Sequence, residues 1–292
     1  MAANGNPSVR RRLLGAELRR LRLSRGLTST QVAEYLLVSQ PKISHLENGR
    51  RAIKPRDVRD LCGLYGVTDQ RVVDSLMRMA VESNREGWWV ACGEVPYALY
   101  IGLETEASSI RSYEPLMIPG LLQTPAYAQA VIEETIPLAT PEQIAVRREV
   151  RLRRQSRAHH PARPIRLWVV LDESVLRRVV GSPEIMGEQL EFLNCLGAQP
   201  HITVQVLPHS AGAHPGVSGQ FSILQFADAA GAGTVYLERF TSDLYLEKRS
   251  DVQQYGVTYD RLQAQALDPE RTRHLITRAA EELLAGSLPG RP

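Results

Sequence analysis

The chain has 292 residues, with 35 Lys+Arg against 32 Asp+Glu; 43% of it is hydrophobic and 23% charged. That length allows one large or two ordinary domains, and the composition excludes wholesale disorder, a collagen-like repeat and a disulfide-dense scaffold. The net charge of +3 is unevenly spread: residues 1–87 hold 16 Lys+Arg and 9 Asp+Glu, a net of +7, and residues 88–292 hold 19 and 23, a net of −4. A basic segment beside a mildly acidic remainder points to an anion-binding module, for nucleic acid or a membrane surface, carried by a near-neutral body.

Residues 9–25 place Leu14, Leu18 and Leu21 at helical spacing with Arg on the remaining face, and Gly26 closes that helix. Thr28 and Gln31 have the spacing of a capping box that opens a second short helix, with Val32, Ala33, Leu36 and Leu37 on its apolar side. Val38 and Ser39 form a break. Ser39 is placed to cap a third helix, where Pro41 is tolerated in the first turn and Ile43 and Leu46 face inward, up to Asn48-Gly49. A fourth helix starts at Pro55, with Val58, Leu61, Cys62 and Leu64 inside. A fifth spans about 69–83 with Val72, Val73, Leu76 and Met79 on one stripe.

Beyond Gly87 the pattern changes. Residues 85–96 read as a linker, with Trp88 and Trp89 packing between domains rather than stacking on bases. A helix over about 99–112 leads into an extended PLMIPGLLQT segment and helices at about 125–134 and 141–158. Strands are expected at 165–172, 202–208, 221–226 and 234–240. Helices at about 173–180 and 184–197 separate the first two, and helices at 249–266 and 269–285 close the chain, ahead of a disordered tail at 287–292. Residues 97–286 are expected to form one larger mixed α/β (α+β) domain behind an all-α, five-helix domain at 9–84.

Cys62, Cys92 and Cys195 are far apart, odd in number and lack ligand spacing, which argues for a reducing compartment and against a structural zinc site. No signal-peptide core and no apolar run long enough to span a bilayer is visible, so the expectation is a cytoplasmic protein without a membrane partner.

The segment Gly26–Arg51, GLTSTQVAEYLLVSQPKISHLENGRR, resembles the helix-turn-helix of Cro/C1-type (XRE) phage-repressor-like regulators. The resemblance implies a lambda-repressor-like fold with the recognition unit at 28–49. The third helix would lie in the major groove with Gln40, Ser44 and His45 toward base edges, and Lys42 on the same outward side. Phosphate contacts would come from Ser29, Thr30 and Gln31 at the start of the second helix, from Ser39, and from the basic run Arg50, Arg51 and Lys54. Pro41 departs from the usual polar residue and puts an apolar ring where a thymine methyl could meet it. The family pairs an Arg of the first helix with the Glu before Asn-Gly; here Arg22 and Glu47 hold those places, which implies a structural ion pair. A unit that reads so little DNA implies a homodimer on two half-sites of a double-stranded operator.

YIGLETEASSIRSYEPLMIPGLLQTPAYA (100–128), RRQ (153–155), WVVLDESVLRR (168–178), VQVLPHSAGAHPGVSGQFSILQF (204–226) and VYLE (235–238) resemble the antitoxin-like C-terminal domain of the actinobacterial Scr1-type regulators. What that implies is a transcriptional regulator controlled through a small companion protein or effector, with no cofactor and no enzymatic role. His209 and His214 invite a metal or general-base reading, with Ser210, Ser218, Asp172, Glu173 and Glu104 available in the sequence, but they stand five apart in a Gly/Pro-rich loop, away from metal-ligand spacing, and no nucleophile elbow or phosphate loop is present. Loop structure between two strands is expected there, with partner or ligand contact as the alternative. The basic helix at 147–157 could meet DNA flanking the operator, an acidic partner, or the acids of neighbouring helices. Glu104 and Glu106 could receive an effector's cation, but with Arg111 one or two turns away on the same expected helix they read as an internal ion-pair network. A second overall reading keeps the C-terminal domain as the active part, a ligand-binding or protein-interaction module to which DNA binding is secondary.

Overall fold

The structure, a computed structural model, describes residues 9–83, 97–136, 138–156, 158, 164–227, 233–239 and 242–285. The linker at 85–96, with Trp88, Trp89 and Cys92, and the tail at 287–292 lie outside the described residues. The chain divides into two compact units, one running to Glu106 and the other starting at Ala107.

The described elements of the first unit are all helices: α1 Val9–Ser24, α2 Ser29–Tyr35, α3 Gln40–Glu47, α4 Pro55–Leu64, α5 Gln70–Glu82 and α6 Ala98–Glu106. Its core gathers Leu14 and Leu18 from α1, Val32 and Ala33 from α2, Ile43 and Leu46 from α3, Val58, Leu61 and Cys62 from α4, and Val73, Leu76 and Met79 from α5. Burial of these stripes, rather than the intrinsic preference of seven- to sixteen-residue helices, is what holds them. α6 packs on α1 within this unit.

Two apolar residues expected inside lie outside. Val72 is exposed, and Leu37 is 92% exposed with a φ of +54°. α2 ends at Tyr35 in a Schellman motif: the Leu37 N–H donates to Glu34 O (3.1 Å) and the Val38 N–H to Ala33 O (2.9 Å). Leu37 takes the left-handed position that this motif needs, so the helical period ends one residue before it.

The second unit is built on a six-stranded sheet: β1 Ser109–Glu114, β2 Arg166–Asp172, β3 Ile202–Leu207, β4 Phe221–Gln225, β5 Gly233–Glu238 and β6 Asp243–Leu246. Their order is β3-β2-β1-β4-β5-β6, with β1, β2 and β3 mutually parallel and the other pairings antiparallel. α7 Pro125–Thr135 and α8 Pro141–Gln155 lie between β1 and β2; α9 Glu173–Arg177 and α10 Pro183–Gly197 lie between β2 and β3; α11 Arg249–Gln265 and α12 Pro269–Leu284 follow β6. α11 covers one face of the sheet, where Tyr259 and Leu262 meet Tyr113, Phe221, Ile223, Val235 and Leu237. α10 and α12 pack on each other. The outer edge of β3 is closed by the α11–α12 connection and the first turn of α12: Val206 O accepts from the Leu267 N–H (2.8 Å), and the Val206 N–H donates to Thr272 Oγ1 (3.1 Å).

The helix expected over 99–112 stops at Glu106, and residues 109–114 form β1 at the centre of the sheet, paired with β2 on one side and β4 on the other. Pairing with segments more than 50 residues away overrides the local helical signal. Arg111 therefore does not share a helix with Glu104 and Glu106; its guanidinium pairs with Asp260 (3.1 Å) and lies over the Tyr259 ring (5.3 Å). The four-residue edge strand β6 has no counterpart in the expected elements, and the helix expected over 173–180 is the shorter α9. Side-chain amides knit the PLMIPGLLQT segment to its helices: Gln189 accepts from the Thr124 N–H (2.6 Å) and donates to Leu122 O (2.8 Å), and Gln155 donates to Gln123 O (2.6 Å). Two arginines of the basic helix α8 also meet amides, Arg148 at Gln129 Oε1 and Arg151 at Gln123 Oε1.

Candidate nucleic-acid interface

The interface is set up from the first helix. Gly15 lies where α1 crosses the end of α3: a Cβ there would fall 2.5 Å from Leu46 O and 2.6 Å from Glu47 O. Gly49, in the left-handed region at φ +67°, leaves no room for a Cβ against the Arg12 backbone. This close crossing brings Arg22 onto Glu47. The guanidinium donates Nε to Oε1 (2.6 Å) and Nη2 to Oε2 (2.9 Å), and its third arm, Nη1, donates to Leu27 O (2.7 Å). Both side chains are buried, and the hydrogen bond to Glu47 raises the Arg22 pKa further above its already high value. One buried fork thus joins α1, the turn before α2, and α3.

α2 opens with both halves of a capping box: Thr28 Oγ1 accepts from the Gln31 N–H (3.2 Å), and Gln31 Oε1 accepts from the Thr28 N–H (2.8 Å). Ser39 occupies the N-cap of α3 but makes no side-chain capping bond; the Gln40 Nε2 beside it donates to Ser29 Oγ (3.0 Å) and ties the starts of α2 and α3 together. With Ile43, Leu46 and Glu47 turned inward, the opposite face of α3 carries Gln40, Pro41, Ser44 and His45, with Lys42 at its margin. Asn48 caps the far end and its Nδ2 donates to Ser44 O (2.8 Å). His45 O then accepts from the N–H groups of Arg50 (2.8 Å) and Arg51 (3.2 Å), which turns the basic run back along the end of the helix. Thr30, Arg50, Arg51 and Lys54 are exposed, and Ser29 is half-buried. Polar side chains on a short exposed helix, flanked by cations and held by a buried ion pair, can meet base edges and phosphates together.

His209 and His214 lie elsewhere, in the second unit, on the segment that joins β3 to β4. They stand around Asp172 at the carboxyl end of β2: His209 Nε2 is 3.9 Å from Asp172 Oδ1 and His214 Nε2 is 4.0 Å from Asp172 Oδ2. Tyr113 donates its hydroxyl to Asp172 Oδ2 (3.4 Å), and Ser174 donates both its N–H (3.0 Å) and its hydroxyl to Asp172 Oδ1. Burial beside this carboxylate raises the Tyr113 pKa above its ordinary value. Sequence reasoning had the two histidines and Asp172 but not Tyr113, which lies on the strand taken for a helix. Among the described residues no group of three or more His, Cys, Asp or Glu is arranged to hold a metal ion, Cys62 and Cys195 are free thiols, and no helix is long and apolar enough to cross a membrane.

Comparison with known families finds a helix-turn-helix domain over residues 13–76 and a domain of unknown function, DUF5753, over residues 97–278. No curated protein and no solved structure matches the chain. The chain belongs to the family defined by that domain of unknown function, and carries ahead of it an XRE-like helix-turn-helix domain of the kind that binds DNA.

Proposed function

We propose that the protein is a sequence-specific transcriptional regulator that binds a double-stranded operator as a homodimer, in which α3 reads bases and the C-terminal unit carries dimerisation and the surface for a small companion protein or effector. The reading includes the Scr1-type, antitoxin-like placement in actinobacteria, a cytoplasmic, nucleoid-associated location, and no enzymatic role. The observation that carries it is the outward face of α3, with Gln40, Pro41, Ser44 and His45 opposite a buried Arg22–Glu47 pair. That face has no packing duty, yet its orientation is fixed by a buried ion pair behind it. In the second unit, the carboxylate around which His209 and His214 stand is engaged by Tyr113 and Ser174, which supports a loop-holding or partner-facing role over catalysis.

The test is selection of bound sequences from a random double-stranded pool, with the full chain and with Gln40→Ala and His45→Ala. A base-reading side chain contributes about 1–3 kcal/mol of discrimination at its position, so each variant is expected to relax preference at one pair of symmetric positions. Identical preferences in wild type and both variants would overturn the assignment of α3. A single, unrepeated half-site would overturn the dimer.

A further inference from the structure

β3 and β4 are consecutive in the chain but are separated in the sheet by β2 and β1, so residues 208–220 must cross the carboxyl ends of those two strands. In open α/β sheets that end is where side chains converge on ligands; here a strap of chain lies over it. The strap contains two short 3-10 turns, His209–Ala211 and Pro215–Ser218, joined through Gly212 at φ +67°.

The second turn is anchored. Gly216 sits against the Tyr113 ring, where a Cβ would be 2.5 Å from Cε1, and the His214 ring meets Tyr113 edge-on at 5.7 Å. The Gly216 N–H donates to His214 Nδ1 (3.2 Å). That bond places the proton of a neutral His214 on Nε2, the nitrogen facing Asp172, and leaves no lone pair there for a metal.

The first turn is held differently. The His209 N–H donates to Glu173 Oε2 (2.9 Å), while its ring, 60% exposed, stands between two carboxylates: Nε2 is 3.9 Å from Asp172 Oδ1 and Nδ1 is 3.8 Å from Glu173 Oε2. Both separations exceed hydrogen-bond length, so a neutral imidazole gains little from either oxygen, whereas an imidazolium is attracted to both carboxylates at once. The other groups around the pair are Tyr113 and Ser174 on Asp172, His214 facing Asp172 Oδ2, and Arg177, which lies 3.7 Å from the far oxygen of Glu173 and also pairs with Glu282 of α12.

We propose that His209 is a proton-operated clasp on this strap. With His209 protonated, the first turn is held down on Asp172 and Glu173. With it neutral, residues 208–212 lift about Gly212 while the Gly216–Tyr113 anchor keeps the second turn in place. Histidine is the side chain type whose charge ordinarily changes between pH 5 and pH 8, which sets the range over which the clasp is tested. It does not depend on the DNA-binding reading.

Amide hydrogen exchange of the full chain at pH 6 and pH 8, corrected for intrinsic rates, tests it. Protection of residues 209–212 is expected to be about fivefold greater at pH 6, the size appropriate to ion pairs of this exposure. His209→Ala is expected to show equal protection at both pH values, at the wild-type pH 8 level. His209→Arg, a permanent cation, should hold the pH 6 level at both. Equal protection of the wild type at the two pH values, or a pH response that survives in His209→Ala, overturns the proposal.

Discussion

Arg22 does not reach the outer face of α3, yet the orientation of that face depends on it. Its three donor arms end on Glu47 and on Leu27 O, inside the protein. Removing one member of a buried pair leaves an uncompensated charge and costs about 3–5 kcal/mol. Glu47→Gln is therefore expected to lower the urea midpoint of the first unit sharply and to weaken DNA binding at every sequence alike. A variant that keeps wild-type stability would show that the pair contributes little. Leu37 makes the opposite case. It holds a left-handed conformation at φ +54° with a side chain 92% exposed, so it has strain and no packing to lose. Leu37→Gly relieves the strain and adds some unfolded-state entropy, for a net gain of about 0.5–1 kcal/mol, seen as a rise in thermal midpoint. The Thr28–Gln31 partnership was legible in the sequence from its capping-box spacing, and the Arg22–Glu47 pair through the resemblance to Cro/C1-type regulators. The strained Leu37 was not: a leucine after an apolar helix stripe reads as one more core residue until the chain geometry at the helix end is known.

At the scale of elements, the α1–α3 crossing has no tolerance. Gly15→Ala puts a methyl group 2.5 Å from a backbone carbonyl oxygen, and the atom that would have to yield is main chain. Overpacking of this kind costs about 1–3 kcal/mol. The variant is expected to lose operator affinity as the two helices separate, while the far-ultraviolet signature of the second unit persists. In the sheet, Glu114 ends β1 in surroundings whose burial pushes its carboxyl up to about 8, with Glu238 adding to the effect and a Ser112 hydrogen bond opposing it. An unfolded chain ionises this group near its ordinary value of 4.5. The folded state therefore binds the extra proton between about pH 4.5 and pH 8, and its advantage, full at the acidic end, is lost at about 1.4 kcal/mol per pH unit as pH rises through that window. Glu114→Gln should flatten the fall of thermal midpoint between pH 5 and pH 8; an unchanged slope would place the titration elsewhere. β1 was misread because its partners, β2 and β4, lie more than 50 and more than 100 residues downstream, whereas helices such as α7, α8, α10 and α12 declare themselves by local caps at Thr124, Thr140, Ser182 and Asp268.

At the scale of the whole molecule, the net charge of +3 is a cancellation between a basic first third and a mildly acidic remainder. Affinity for DNA falls with salt in proportion to the phosphates neutralised. The slope should therefore be set by the cations around α3: Arg50→Ala is expected to reduce it by about one and to weaken all sequences together, without changing the preferred one. A shift in preferred sequence instead would make Arg50 a base reader. The same contrast explains what could be read in advance. Charge and helix caps are local and survive in a linear string, while Tyr113, brought to Asp172 by strand pairing, becomes visible only once the sheet has formed.

The placement of α6 bears on how such chains can be cut and recombined. The match to the domain of unknown function begins at residue 97, but Ala98–Glu106 packs on α1 and belongs to the first compact unit. Family borders and folding borders thus differ by one helix. A hybrid of two relatives joined at 96/97 would seat a foreign α6 on α1, whereas a junction at 106/107 keeps each helix with the surface it was selected against. Exchange of DNA-reading units between members of this family should therefore succeed more often at the later junction, and α1 and α6 should change together.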